Sequence, residues 1–118
     1  MKRGFLMQAM QIGFNPEYTE ESPSLDEINS LKGMAILEFG APWCGHCQAS
    51  CNALEEVMKS HSELIHIKVF DGKGKRLGRQ FGVKLWPTLI LLRDGQEVAR
   101  IVRFTSVDEI HELLGSNV

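Results

Sequence analysis

Charge of one sign is what this 118-residue chain lacks first: 13 lysines and arginines stand against 15 acidic residues, a formal net charge of −2. Without an overall field, nothing in the composition recruits nucleic acid or an acidic lipid surface. Long hydrophobic runs are also missing, so no segment reaches the length that crosses a bilayer. No internal repeat or low-complexity tract is present, and no GxxxxGK[ST] pattern offers a phosphate cradle. The basic cluster Lys73, Lys75, Arg76 and Arg79, beside Gly72 and Gly74, therefore reads as a solvated helix face. Cysteine is scarce. Three residues are too few, and the wrong number, for a disulfide framework.

What remains is 43% hydrophobic and 24% charged, the balance of one globular domain with one core. Lys2 and Arg3 precede an apolar stretch to Phe14 that superficially resembles a secretory signal. Gln8 and Gln11 interrupt it and no small-x-small cleavage site follows, so it is expected to be part of the folded chain or a loosely attached arm. Met7, Met10 and Phe14 are spaced as an amphipathic patch whose default role is packing on the domain. Residues 15–23, with Pro16 and Pro23, read as an acidic connector. The expected organisation is an arm and connector over residues 1–23 and a folded domain over 24–118.

Within that domain Ser24-Leu25-Asp26-Glu27 reads as a capping box, opening a helix to about Leu31 with Gly33 beyond its end. Met34–Phe39 is apolar except for Glu38, as in a strand covered on both faces. A helix is expected from Cys44 to about Ser60, with Leu54, Val57 and Met58 as its apolar stripe. A strand over 64–70, a short helix over 75–81 and a strand over 88–93 follow. Asp94-Gly95 is a strong hairpin signal, returning the chain as a strand over 96–102. Ser106 to Glu109 is a second capping box, opening a helix to about Leu114. Helices and strands in this order imply a mixed sheet sandwiched by helices.

The three cysteines fall within eight residues, Cys44 to Cys51, which points to chemistry rather than stapling. Trp43-Cys44-Gly45-His46-Cys47 sits where a strand gives way to a helix. Two thiols three residues apart at a helix start can close a small disulfide ring without unwinding the helix. Cys44 meets unpaired amides and the positive end of the dipole, which stabilise a thiolate. Cys47, one turn inward, is expected to be less exposed. Cys44 then attacks and Cys47 resolves the mixed disulfide. An imidazolium at His46 stabilises the neighbouring thiolate and makes the disulfide a stronger oxidant. A zinc site would need more ligands than one CxxC supplies, with only Cys51, His61 and His66 to add. Haem attachment is excluded because Gln48, not histidine, follows Cys47. Cys51 reads as a small buried hydrophobe, with a second resolving thiol as the alternative. His61, His66 and His111 read as surface residues without special duty.

The run Glu38-Phe39-Gly40-Ala41-Pro42-Trp43-Cys44-Gly45-His46-Cys47 resembles a thioredoxin-family active site, and its CGHC resembles the catalytic domains of protein disulfide isomerase in particular. Trp86-Pro87-Thr88 matches the family's x-Pro-Thr, and Asp94-Gly95 the hairpin that follows. The resemblance covers roughly residues 24–114. It implies an α/β thioredoxin fold, a mixed central sheet flanked by helices, here with an N-terminal extension. It implies catalytic roles for Cys44, Cys47 and Glu38, the last as a buried carboxylate of raised pKa that trades a proton with the resolving thiol. It implies a cis Pro87 that shields the disulfide and denies Cys44 a metal. Trp86 would lend its backbone to an extended substrate segment, with Trp43 and Thr88 completing the docking surface. Lys68 would approach Glu38. Gly45 and His46 tune the redox balance; thioredoxins carry proline at the place of His46.

Four departures stand out. Gly40 replaces a large aromatic, which predicts a more open floor beneath the site. Asn52 replaces a helix-kinking proline, which predicts a straighter helix. Arg103-Phe104-Thr105 occupies the loop where a glycine lets substrate backbone approach, and Trp86 is unusually bulky. Together they suggest a specialised partner. The expected function is thiol–disulfide exchange with protein substrates in the reducing direction, by a cytoplasmic monomer with no cofactor, no metal and an external thiol reductant or reductase. The competing class is a binding module that keeps the fold and works by recognition.

Overall fold

The serines that the sequence marks as helix starts do that work. In the computed structural model, which describes residues 9–72 and 75–115, Ser24 accepts from the Glu27 amide while the Glu27 carboxylate accepts from the Ser24 amide, opening α1 (Leu25–Asn29). Ser106 and Glu109 form the same reciprocal pair at the start of α4 (Val107–Leu114). Two otherwise orphaned amides are satisfied at each helix. Between them lie β2 (Met34–Gly40), α2 (Gly45–Met58), β3 (Ile65–Phe70), α3 (Leu77–Gln80), β4 (Thr88–Arg93) and β5 (Gln96–Val102), preceded by β1 (Met10–Ile12). The sheet runs β1-β3-β2-β4-β5, with β2 and β3 parallel and every other neighbour antiparallel. Asp94 and Gly95 turn β4 into β5 with φ of 50° and 80°, the two positive angles that a two-residue hairpin turn requires.

Strand alternation divides the core in two. Ala35, Leu37 and Phe39 of β2 join Ile67, Val69, Ile90 and Leu92 against Ile28 of α1 and Leu77 of α3. Ile36, Leu89 and Leu91 face the other way, onto Leu54, Val57 and Met58 of α2 and Ile110, Leu113 and Leu114 of α4. Each fully buried Leu, Ile or Phe contributes about 1.5–3 kcal/mol, enough in sum to fix the register of the ladder. That register sets Glu38 of β2 beside Lys68 of β3.

The sequence reading does not contain β1. Met10–Ile12 pairs with Ile65–Ile67, and the chain continues along the same edge: the Lys68 amide donates to Ala9 O (2.8 Å) and the Phe70 amide to Thr19 O (2.9 Å). Three residues are too few for an alternation signal, and only the waiting edge of β3 makes them a strand. The third helix is also shorter than the expected 75–81, and the Lys75 side chain before it reaches back to donate to Glu20 O (2.8 Å). Met10 is buried and Phe14 half-buried against the core. Met7, the signal-like stretch before residue 9, and Lys73 and Gly74 of the basic cluster lie outside the described residues. Among the described residues no helix is long and apolar enough to cross a membrane.

Candidate active site

Sequence dictates the position of Cys44. Ala41-Pro42-Trp43 carries the chain off the end of β2, and the Cys44 amide donates back to Ala41 O (3.2 Å). Cys44 is then the N-cap of α2, with extended backbone angles, and its Sγ accepts from the Cys47 amide at 3.2 Å. A sulfur so placed receives a free helix amide and the positive end of the dipole. Cys44 is half-buried, whereas Cys47 is 2% exposed. Both are free thiols, as is Cys51. Burial, reinforced by the hydrogen bond with Cys44, pushes the Cys47 thiol up to about 12 against the opposing pull of Tyr18 and the Ala41 backbone. One thiol is presented and the other held back, protonated.

Beneath Cys47 the α2-facing side of the sheet carries a buried polar cluster. Glu38 is 1% exposed and His66 fully buried. The Asn15 amide donates to His66 Nδ1 at 2.9 Å, so Nε2 carries the ring proton and donates to Glu38 Oε1, also at 2.9 Å. The Tyr18 hydroxyl donates to Glu38 Oε2 in a short hydrogen bond. Lys68, itself buried, donates from Nζ to Pro16 O at 3.1 Å and lies 4.5 Å from the centre of the Tyr18 ring. Burial alone would push the Glu38 carboxyl up. The hydrogen bond from His66, the charge of Lys68 and the Tyr18 hydroxyl outweigh it and hold Glu38 below its ordinary value. This corrects the expectation of a raised Glu38, which took account of desolvation and not of its partners. The expectation of a superficial His66 is corrected too.

Gly40 does not leave an open floor. A Cβ there would stand 2.5 Å from the Cys47 sulfur and 2.5 Å from the Tyr18 hydroxyl, so the ring of Tyr18 fills the space that the missing side chain leaves. A pocket of about 520 Å³ opens beside this cluster, lined by Tyr18, Ala41, Cys47, Gln48, Cys51 and Lys68. Cys51 thus lies half-buried on the pocket wall. Among the described residues no group of three or more His, Cys, Asp or Glu side chains is placed to hold a metal ion.

On the outer side Trp43 is 66% exposed, with its ring edge-on to Phe70 at 4.9 Å. Gly45 and His46 lie on the first turn of α2, at the surface. The Trp86–Pro87 peptide is cis. The Trp86 indole donates to Asp71 Oδ2 at 3.0 Å, which places its bulk against the loop after β3. Thr88 is buried and donates its hydroxyl to Leu85 O at 2.7 Å. Arg103 stands in the left-handed region at φ 54°, a conformation that favours glycine. Its amide donates to Pro87 O (2.8 Å) and its Nε to Trp86 O (3.1 Å), which offsets the cost. One lone pair of the Trp86 carbonyl is therefore already taken.

The sequence missed Tyr18, His66 and Asn15. The signals were there in weak form: one tyrosine in the chain, a glycine inside an apolar strand, and a histidine in phase with Lys68 on the strand beside Glu38.

The comparisons with known proteins agree with this geometry. The family model described as Thioredoxin matches residues 17–116. A curated thioredoxin of Chlamydia caviae is 32% identical over 96 residues, covering 80% of this chain and 94% of that protein. The reduced form of thioredoxin 2 from Pseudomonas aeruginosa superposes with a TM-score of 0.73 at 50% identity, covering 83% of this chain and 94% of the other. A mutant thioredoxin from Halobacterium salinarum gives 0.68 at 27% identity, covering 84% and 87%. The chain belongs to the thioredoxin family, and its enzymatic activity is thiol–disulfide exchange.

Proposed function

We propose that this oxidoreductase works as a disulfide reductase, with Cys44 as the nucleophile and Cys47 as the resolving thiol. The observation that carries this reading is their asymmetry: Cys44 half-exposed at the N-cap with its sulfur on a helix amide, Cys47 buried behind it. The Cys44 thiolate attacks one sulfur of a substrate disulfide and expels the other as a thiolate. Cys47 then attacks the Cys44 sulfur, forms the Cys44–Cys47 disulfide and releases the second substrate thiol. Two electrons pass to the substrate, and an external thiol reductant or reductase returns them. Glu38, ionised in the buried cluster on the α2-facing side of the sheet, is the acceptor for the proton that Cys47 must lose.

Trp43, Trp86 and Pro87 form the docking surface, with Thr88 bracing the loop through Leu85. An exposed tryptophan beside a reactive thiol supports this reading, since large apolar groups left in water mark contact sites. The carbonyl of Trp86, half-engaged by Arg103, keeps one lone pair for an extended partner segment and so favours partners that tolerate a neighbouring guanidinium. Gly45 and His46 tune the couple, with His46 making it less reducing than proline would. A monomer in the reducing cytoplasm, within the electron-transport chain of cell redox homeostasis, is the setting that suits this direction.

Reduction of insulin disulfides with dithiothreitol as electron donor tests the reading. The protein accelerates the reaction, and Cys47→Ser accumulates a mixed disulfide at Cys44. No acceleration and no trapped adduct would leave the fold serving recognition alone.

A further inference from the structure

Gly40 is the place where β2 makes room for something else. A Cβ on it would meet the Cys47 sulfur, the Tyr18 hydroxyl and Tyr18 Cζ within 2.7 Å, so thiol and phenol share one small space over the strand. Tyr18 is delivered there by its neighbour: Thr19 bridges Val69 in parallel and accepts from the Phe70 amide. Lys68 steadies the ring from one side. The phenol donates to Glu38 Oε2 and shares the space over Gly40 with the Cys47 sulfur.

We propose that Tyr18 is the proton relay of the resolving step, taking the Cys47 thiol proton on its oxygen while handing its own proton to Glu38 Oε2. The proposal rests on the reading of Cys47 as the resolving thiol and Glu38 as the acceptor. As Cys47 attacks, the Cys47–Cys44 S–S bond forms and the bond from Cys44 to the substrate sulfur breaks, its electron pair leaving with the substrate thiolate. The S–H proton moves to the phenol, the phenol proton moves to the carboxylate, and Tyr18 is neutral before and after. Glu38, whose carboxyl is held below its ordinary value, does not keep the proton: it passes it to solvent and is ionised again before the next cycle.

Burial and the neighbouring Glu38 push the Tyr18 hydroxyl far above its ordinary value, so it does not hold a negative charge and can only pass a proton on. The charged and titratable groups around it are Glu38 on β2, His66 and Lys68 on β3, Cys44 and Cys47 on α2, and Glu17 on its own segment at the pocket wall. Of these, Glu38 accepts the phenol's hydrogen bond, and Cys47 is the thiol that meets the phenol oxygen over Gly40. Water from the adjoining pocket is the rival carrier.

The full chain carrying Cys51→Ser, mixed with Ellman's reagent in stopped flow, separates the two chemical steps. The first nitrothiobenzoate released reports attack by Cys44, and the second reports resolution by Cys47. Tyr18→Phe keeps the ring under Gly40 and removes the hydroxyl. At neutral pH it slows the second release by about 100-fold, the lower range for lost acid–base assistance, and leaves the first unchanged. The deficit closes as pH rises and hydroxide takes the Cys47 proton from solvent. Glu38→Gln slows the same phase. A normal second phase in Tyr18→Phe alongside a slow one in Glu38→Gln overturns the relay in favour of water. Normal rates in both overturn the Glu38 reading with it. Equal loss in both phases reduces Tyr18 to a packing residue. Should Tyr18→Phe fail to fold, the wild-type second phase in mixed light and heavy water decides. Two protons in flight give a curved dependence on deuterium fraction, and a straight line contradicts the relay.

Discussion

On the face of the sheet covered by α1 and α3, β2 presents Ala35, Leu37 and Phe39, and Ile67, Val69, Ile90 and Leu92 pack beside them. On the face covered by α2 and α4, the same strand presents Ile36, then Glu38, then the bare backbone of Gly40, and β3 adds His66 and Lys68. The first face gains free energy from every residue it removes from water. The second gains from its own apolar cluster too, but around Glu38 it also desolvates charge, a cost met only because each polar group there has a partner. Both faces bury an apolar core, but the chemistry is confined to one of them, back to back with the other through a single layer of backbone.

The largest effect should come from the chemical side. Cys44→Ser is expected to lower disulfide reduction by more than about 1,000-fold while the melting temperature holds, checked by insulin turnover and calorimetry. A substitution of comparable violence on the apolar side should do the reverse. Leu37→Ala is expected to cost about 2–5 kcal/mol in urea unfolding while the folded protein keeps its rates at 25 °C. If Leu37→Ala slows exchange as much as it destabilises, the division between the faces is wrong.

Acid should find the chemical face first. The Glu38 carboxyl is held below its ordinary 4.5, so its contribution is fully present above that pH and is lost as pH falls through the depressed value. Reduced wild type should therefore lose stability steeply below about pH 4.5, and Glu38→Gln should flatten that limb. An unchanged acid limb would mean that Glu38 is not held by His66, Lys68 and Tyr18. The smallest effect is electronic. His46→Pro is expected to move the couple in the reducing direction by on the order of 30 mV, read from glutathione equilibration.

Much of this was legible in the sequence because the signals are local. Two serine capping boxes, Asp94-Gly95 and a CxxC after an apolar strand each fix a piece of backbone within a few residues. The back of the site was not legible, because its parts meet only in three dimensions. Tyr18 reaches Gly40 because Thr19 pairs with Val69, and a three-residue strand before it carries no period of its own. The direction of the Glu38 shift was misjudged for the same reason: desolvation follows from an apolar strand, but His66 and Tyr18 are visible only once the sheet is assembled. Arg103 reads as a missing glycine, and only the structure shows it reaching Trp86 O and Pro87 O.

The central claim is that Cys44 and Cys47 form a reversible dithiol couple poised to reduce protein disulfides. Equilibrating the full chain with graded ratios of reduced and oxidised glutathione, and counting free thiols at each, tests it directly. A two-electron couple near about −270 mV, raised somewhat by His46, is the predicted result. A couple near about −180 mV would contradict the reductive direction, and the absence of any reversible couple would contradict the chemistry itself.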